Sequence, residues 1–407
     1  MPLSQPQWMQ GFPPKRESVI RFDDGSFYQW PQFKWSVCNI QQLVPTKTVW
    51  RGDGAAQPLL QDLWPLQDQM ITSEGGERAS WQQVMDYTHT DGLTILHKGK
   101  LVHESYHGDL QAGQAHLIMS AAKSMVGVLA QMLIADGSLD ADERVIHYLP
   151  ELAQSAFADA SVRQVLDMET SMVFDENYLD EGSEVWRYLR CGGMLPQQAG
   201  TWECLTDYLV DIQKHKEHGV AFAYREPNIN VASWLLRRIT GQHLNHLLSD
   251  MVWQHIGASH DGLYMLDPSG AETTMALTMR SFAQFGEWVR THGHGQLDPA
   301  VMSELFAGGD PTKFAKAALP AMQGWSYKSL WWVRHMPHGN AICARGAHGQ
   351  LLYIDPAKEL VVAWCSSTQI PTGYTHDHWR MPLIDLVSQQ ISITSSASFH
   401  RSSGSVP

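Results

Sequence analysis

The sequence has little of what would place a chain outside a reducing compartment, in a membrane or on a polyanion. Its five cysteines (Cys38, Cys191, Cys204, Cys343 and Cys365) are odd in number and include no C-x-x-C pair. That argues against a disulfide framework and fits a reducing compartment. The first ten residues hold no basic stretch followed by an apolar run, so no secretory signal is read. The most apolar stretch, Met125 to Ala135, is too short to span a bilayer and carries Gln131. A cytoplasmic location is therefore expected. Positive charge is short as well: 29 Lys and Arg stand against 42 Asp and Glu, a net charge of −13. Such a chain is unlikely to grip nucleic acid, and anionic membrane surfaces should repel it. The balance hints at neutral or cationic small substrates. No G-x-S-x-G elbow, Gly-rich phosphate loop or internal repeat occurs.

What is present is an ordinary globular mix, 43% hydrophobic and 17% charged. The length implies one large or two intimate domains. Sixteen Trp are more simply core filling than groove lining. Residues 1–80, rich in Pro, Gln and Trp, read as an N-terminal arm packing on the body. Leu93–Lys98 and Lys100–His107 read as two strands joined at Lys98-Gly99. Ser120–Ala135 has apolar residues at helical spacing and ends at Asp136-Gly137. Asn228–Thr240 is a second helix between Pro227 and Gly241. Near the end, Leu330–Arg334, Ala341–Ala344, Gln350–Ile354 and Leu360–Ser366 read as successive strands. Their short connections imply an antiparallel sheet. Pro382–Ser392 reads as a closing helix, and 394–407 as a disordered tail. The expected fold class is α+β. Residues 81–118 and 269–393 would form an antiparallel sheet flanked by helices, and 119–268 an inserted helical domain. A cleft between the two is where a small ligand would bind.

Ser120-Ala121-Ala122-Lys123 opens the first helix. Residues three apart share a helix face, so Lys123 can reach the Ser120 hydroxyl. A serine needs a base to become a nucleophile, and a lysine buried among few anions can lose its proton and serve. On spacing alone the commoner reading is an N-cap serine with a solvated lysine. The position, at the head of an apolar helix directly after a strand pair, favours the catalytic one. Tyr224 lies just before the second helix and could pass a proton to a leaving group. A core-capping loop aromatic is the alternative. In Ala344-Arg345-Gly346-Ala347-His348-Gly349-Gln350, small residues would let substrate approach a strand whose N–H could pair with that of Ser120 as an oxyanion hole. A plain Gly-containing turn is the alternative there.

Taken together, these residues resemble the serine β-lactamase and penicillin-binding-protein superfamily. Within it the chain is most similar to the 6-aminohexanoate-dimer (nylon-oligomer) hydrolases and related carboxylesterases. The resemblance runs from about Leu93 to Ser367. It includes Ser120–Ser124, Val165-Leu166-Asp167-Met168 leading to Asp175-Glu176-Asn177-Tyr178, Tyr224 with its following helix, Gly346–Gln350 and Tyr353-Ile354-Asp355-Pro356. Trp50–Gly54 resembles the N-terminal arm of such proteins more weakly. The resemblance implies a β-lactamase/transpeptidase-like fold with Ser120 as nucleophile, Lys123 as base and Tyr224 as proton-transfer partner. It implies an oxyanion hole from the backbone N–H groups of Ser120 and Ala347, and Tyr178 as a tyrosine closing over the substrate. Gly346 and His348 are added as substrate-binding candidates from their place in the strand motif, with a purely structural hydrogen bond as the alternative for His348.

Two departures stand out. Where class C β-lactamases carry Tyr-x-Asn, the residue two after Tyr224 is Glu226. Where the superfamily has Lys-Thr-Gly, this chain has Ala344-Arg345-Gly346, and strand alternation should turn Arg345 to the other face. Both weigh against β-lactam or peptidoglycan substrates. The expected activity is an esterase or amidase on a small linear substrate through an acyl-enzyme. A β-lactam-acylated enzyme, or a non-catalytic binding protein on this scaffold, is the alternative. His215 with His218, His243 with His246, and His292 with His294 lack a well-spaced third ligand, so no metal and no cofactor is expected. The acidic run Asp175, Glu176, Asp180, Glu181 and Glu184 is a solvated loop or a docking patch for a substrate amine. If the chain self-associates, a homodimer is the form to expect.

Overall fold

The computed structural model describes residues 8–200 and 202–402, with side chains to residue 391. The N-terminal arm crosses the body as turns and short 3-10 segments, burying Phe27, Phe33, Val37 and Ile40. It also contributes structure of its own. Its strand β1 (Thr46–Val49) enters a sheet, and β2 (Met70–Thr72) and β3 (Arg78–Ser80) form a small antiparallel pair. The helix Trp81–Tyr87 follows, started by a reciprocal Ser80–Gln83 capping box. Then come β4 (Thr90–His97) and β5 (Lys100–Tyr106). They join through Lys98 and Gly99, both at positive φ, as a tight hairpin requires. Strand β6 (His116–Met119) runs directly into Ser120.

The middle of the chain is largely helical. The helix Lys123–Ala135 is buried along most of its length and docks on the sheet, where Ser124 Oγ donates to the Leu330 carbonyl at 2.7 Å. Helices Glu184–Cys191 and Pro227–Thr240 complete the wall of the cleft, the second ending at Gly241 in the left-handed region. Two strands then appear where the sequence reading had none: β7 (Gly262–Leu266) and β8 (Glu272–Leu277). They build a four-stranded sheet in the order β1-β7-β8-β6. The block read as helical from 119 to 268 therefore ends in a strand, and part of the arm is a sheet edge. Local pattern could not reveal this, because Thr46 pairs with Met265 across most of the chain.

The remaining strands are β9 (Trp325–Lys328), β10 (Trp331–Arg334), β11 (Ala341–Gly346), β12 (Gln350–Asp355) and β13 (Leu360–Ser366). With β4 and β5 they form a seven-stranded antiparallel sheet in the order β5-β4-β13-β12-β11-β10-β9. β9 was missed because all four of its residues are buried, so it shows no alternation of apolar and polar. Helix Met279–Arg290 covers this sheet so closely that a Cβ on Gly286 would come within 2.6 Å of Val361 and 2.9 Å of Leu352. The closing helix runs Asp377–Ser402, longer at both ends than the Pro382–Ser392 expected. Residues 394–402 of the expected tail are thus helical, and 403–407 lie outside the described residues. No helix among the described residues is long and apolar enough to cross a membrane.

Candidate active site

Ser120 stands where β6 turns into a helix. The turn is made at Met119, whose φ of +48° and ψ of −137° lie in a region costly for any residue with a Cβ. A 3-10 turn, Ser120–Ala122, then feeds the α-helix that carries Lys123. Lys123 is buried, and its Nζ donates to Ser120 Oγ at 2.7 Å.

The sequence reading expected few anions here, and the structure corrects it. Lys123 Nζ also donates to both carboxylate oxygens of buried Glu226, at 2.9 and 2.8 Å. The Ser120 hydroxyl donates to Glu226 Oε1 at 3.2 Å. Serine, lysine and glutamate close a three-membered ring of hydrogen bonds. Tyr224 covers it, with its ring centroid 5.3 Å from Lys123 Nζ and 5.5 Å from the Trp332 ring on which it stacks. Burial, then the Glu226 charge, push the Tyr224 phenol well above its ordinary pKa, and a hydrogen bond to Ser120 pulls the other way. The phenol therefore keeps its proton at neutral pH.

A second carboxylate sits behind the first. Glu176 Oε2 accepts from the Glu226 backbone N–H at 3.3 Å, and Glu176 Oε1 accepts from the Tyr178 hydroxyl at 3.2 Å. Burial and then the neighbouring Glu226 raise its pKa to about 8. Of the acidic run, then, Glu176 turns inward, whereas Asp175, Asp180 and Glu181 are exposed.

Across the cleft, Gly346 brings β11 against the segment leading to Ser120. A Cβ there would lie 2.5 Å from the Ile118 carbonyl oxygen and 3.0 Å from Met119 Cβ, so only glycine permits this approach. Ala347 follows and shares both cavities beside Ser120. His348, expected to bind substrate, reaches neither cavity wall. Its Nδ1 is 2.7 Å from the Thr368 carbonyl and its Nε2 is 3.1 Å from the Tyr28 hydroxyl. Burial lowers its pKa to about 4, so it is neutral. Nδ1–H then donates to Thr368 and Nε2 accepts from Tyr28. His348 thereby fixes Tyr28, a residue of the arm, in the wall of the site. Arg345 is buried in an ion pair with Asp377 and over the Trp325 ring, which neutralises the one cation of the strand motif.

Ser120 borders two cavities. The inner one, about 80 Å³, lies between Tyr28, Tyr178, Tyr188, Leu189, Met194 and Ile229. The outer one, about 310 Å³, is bounded by Tyr178, Tyr224, Trp332, Gly346 and Tyr374 among others. Three contributors escaped the sequence reading: Glu226, Glu176 and Tyr28. Glu226 had been singled out as a departure from Tyr-x-Asn, and Glu176 was noted in an acidic run. Tyr28 left no signal, because its role exists only through contact with His348.

A serine and a lysine at the head of a helix buried between an antiparallel sheet and a helical layer define a β-lactamase/transpeptidase-like fold. The chain belongs to the Beta-lactamase family, whose model matches residues 81–384. It is 28% identical over 364 residues to the 6-aminohexanoate-dimer hydrolase of Paenarthrobacter ureafaciens, covering 87% of this chain and 89% of that one. A Bacillus anthracis structure provisionally described as a 6-aminohexanoate-dimer hydrolase superposes with a TM-score of 0.83 at 23% identity, covering 93% and 98% of the two chains. EstCE1, a hydrolase with promiscuous acyltransferase activity, superposes at 0.58 with 17% identity, covering 75% and 96%.

Proposed function

We propose that this family member is a serine hydrolase that cleaves an ester or amide bond of a small linear substrate through an acyl-enzyme. The observation that carries the reading is the 2.7 Å contact of Lys123 Nζ on Ser120 Oγ, beside the ring of Tyr224. The Lys123–Glu226 pair sets how the proton moves. Passing one Lys123 proton to Glu226 turns the buried ion pair into a neutral amine and a neutral acid. The neutral amine takes the Ser120 proton as Oγ attacks the carbonyl carbon. The backbone N–H groups of Ser120 and Ala347 receive the oxyanion. Tyr224 gives its proton to the departing alcohol or amine and recovers one from Lys123. Water then attacks the acyl-enzyme with the same groups acting in reverse.

The names of the relatives support both halves of this reading, a linear amide in one case and acyl transfer in the other. The Arg345–Asp377 pair weighs against a β-lactam, since the carboxylate of such a ligand would meet no unpaired cation on that strand. The test is hydrolysis of p-nitrophenyl acyl esters. Ser120→Ala should abolish turnover, with a loss of about a thousand-fold or more. Full activity of Ser120→Ala would refute the proposal.

A further inference from the structure

We propose that the substrate is bound with a fixed polarity: a short, uncharged acyl chain in the inner cavity, and the leaving group in the outer groove. The inference rests on the Ser–Lys–Tyr reading above and names the substrate class it serves. Ser120 lies in the wall of both cavities, but Tyr224 borders only the outer one. The group that protonates the leaving atom must stand on the leaving group's side. The acyl chain is then directed the other way, into the inner cavity.

That cavity fits a particular kind of chain. Its walls beyond the ring of Ser120, Lys123 and Glu226 are mainly apolar: Leu189, Met194, Leu205 and Ile229. Most of its hydroxyls are already engaged, that of Tyr28 with His348 and that of Tyr178 with Glu176. The Tyr188 hydroxyl donates to Asn230 Oδ1, Thr274 Oγ1 to the Met119 carbonyl at 2.7 Å, and Thr273 Oγ1 to the Met265 carbonyl at 3.2 Å. The charges on its wall, Lys123 and Glu226, neutralise each other. A chain ending in an ammonium or a carboxylate would lose its hydration there and meet no unpaired charge.

Size is limiting too. A water needs about 10–15 Å³ of space open to atom centres, so about 80 Å³ holds on the order of five to eight heavy atoms. The outer groove is roughly four times larger and leaves the leaving group less constrained.

The test keeps the leaving group constant and varies the acyl chain on the native protein. The p-nitrophenyl esters of acetate, butanoate, hexanoate, dodecanoate, 6-aminohexanoate and monoadipate are compared by kcat/KM. The optimum should fall at about four to eight carbons. The two charged chains should each run about a hundred-fold below hexanoate. Met194→Ala, which enlarges the inner cavity, should move the optimum to longer chains without changing the ranking of leaving groups in a series of hexanoate esters. Ser120-dependent hydrolysis that favours 6-aminohexanoate, adipate or dodecanoate over hexanoate would overturn this inference and leave the serine mechanism standing. Hydrolysis that is equally fast in Ser120→Ala would overturn both.

Discussion

Two buried lysines each hold a carboxylate of the helical layer, one from a helix and one from the large sheet, and only one of them touches a serine hydroxyl. Lys123 meets Glu226 at 2.8 Å, with side-chain exposures of 6% and 10%. Lys328 meets Asp167 at 3.3 Å, with exposures of 11% and 10%, and reaches Glu304 at 2.8 Å. Burial opposes the Lys328 charge, but Asp167 and Glu304 outweigh it and hold its pKa above the ordinary value. Asp167 is also tied to the Ser329 N–H at 2.8 Å, so this cluster anchors the β9–β10 turn. The third contact of Lys123 is instead the Ser120 hydroxyl. The same kind of pair is a fastening in one place and, in the mechanism proposed above, a proton exchanger in the other. A buried Lys–carboxylate pair is therefore no sign of catalysis until a reactive hydroxyl joins it.

Replacing each lysine should separate these roles. Lys123→Ala and Lys328→Ala both strand a buried carboxylate, and each should cost up to about 3 kcal/mol in denaturant unfolding. Only Lys123→Ala should also lower kcat, by about a hundred-fold or more. Equal loss of kcat in the folded Lys328→Ala protein would erase the distinction. Glu226→Gln should come next, with kcat reduced about ten-fold or more because the proton released by Lys123 has lost its acceptor. Asp167→Asn, its counterpart at the other lysine, should leave kcat within about two-fold while lowering stability.

The smallest effect concerns pH. The pKa of Glu176, about 8 in the folded protein, lies above the ordinary glutamate value of 4.5. The folded state therefore holds this proton more tightly than the unfolded one. The resulting stabilisation is fully present below about 4.5 and is lost as pH rises to about 8. Glu176→Gln should flatten that part of the stability curve. It should also remove any inflection near 8 in kcat/KM, where a second negative charge would appear beside Glu226. A profile identical to wild type would show that Glu176 carries no such proton.

The sequence made the members of the candidate site easier to pick out than the second sheet. Ser120, Lys123 and Tyr224 are near helix starts, where spacing and capping are local, and the structure brings all three together. The strands β11 to β13 were legible because turn residues separate them. The second sheet was not, since its edge β1 comes from the arm and finds its partner only through tertiary folding. For His348 the sequence left substrate binding and a structural hydrogen bond open, and the structure shows the second. The histidine's left-handed backbone, at φ +60°, turns its side chain from the cleft into the protein, onto Thr368 and Tyr28. Glu226 was visible as an oddity, but the hydrogen bonds that give it a role needed coordinates.

The bond between Tyr28 and His348 spans 320 residues and fixes in the wall of the inner cavity a side chain made long before its partner. At about 5–20 residues per second, a ribosome takes roughly 15 to 60 s to make the chain between them. Until then the pocket lacks one wall. Strands β12 and β13, which support His348 and Thr368, are made later still. A nascent chain that stops short of β13 therefore cannot hold a finished inner cavity.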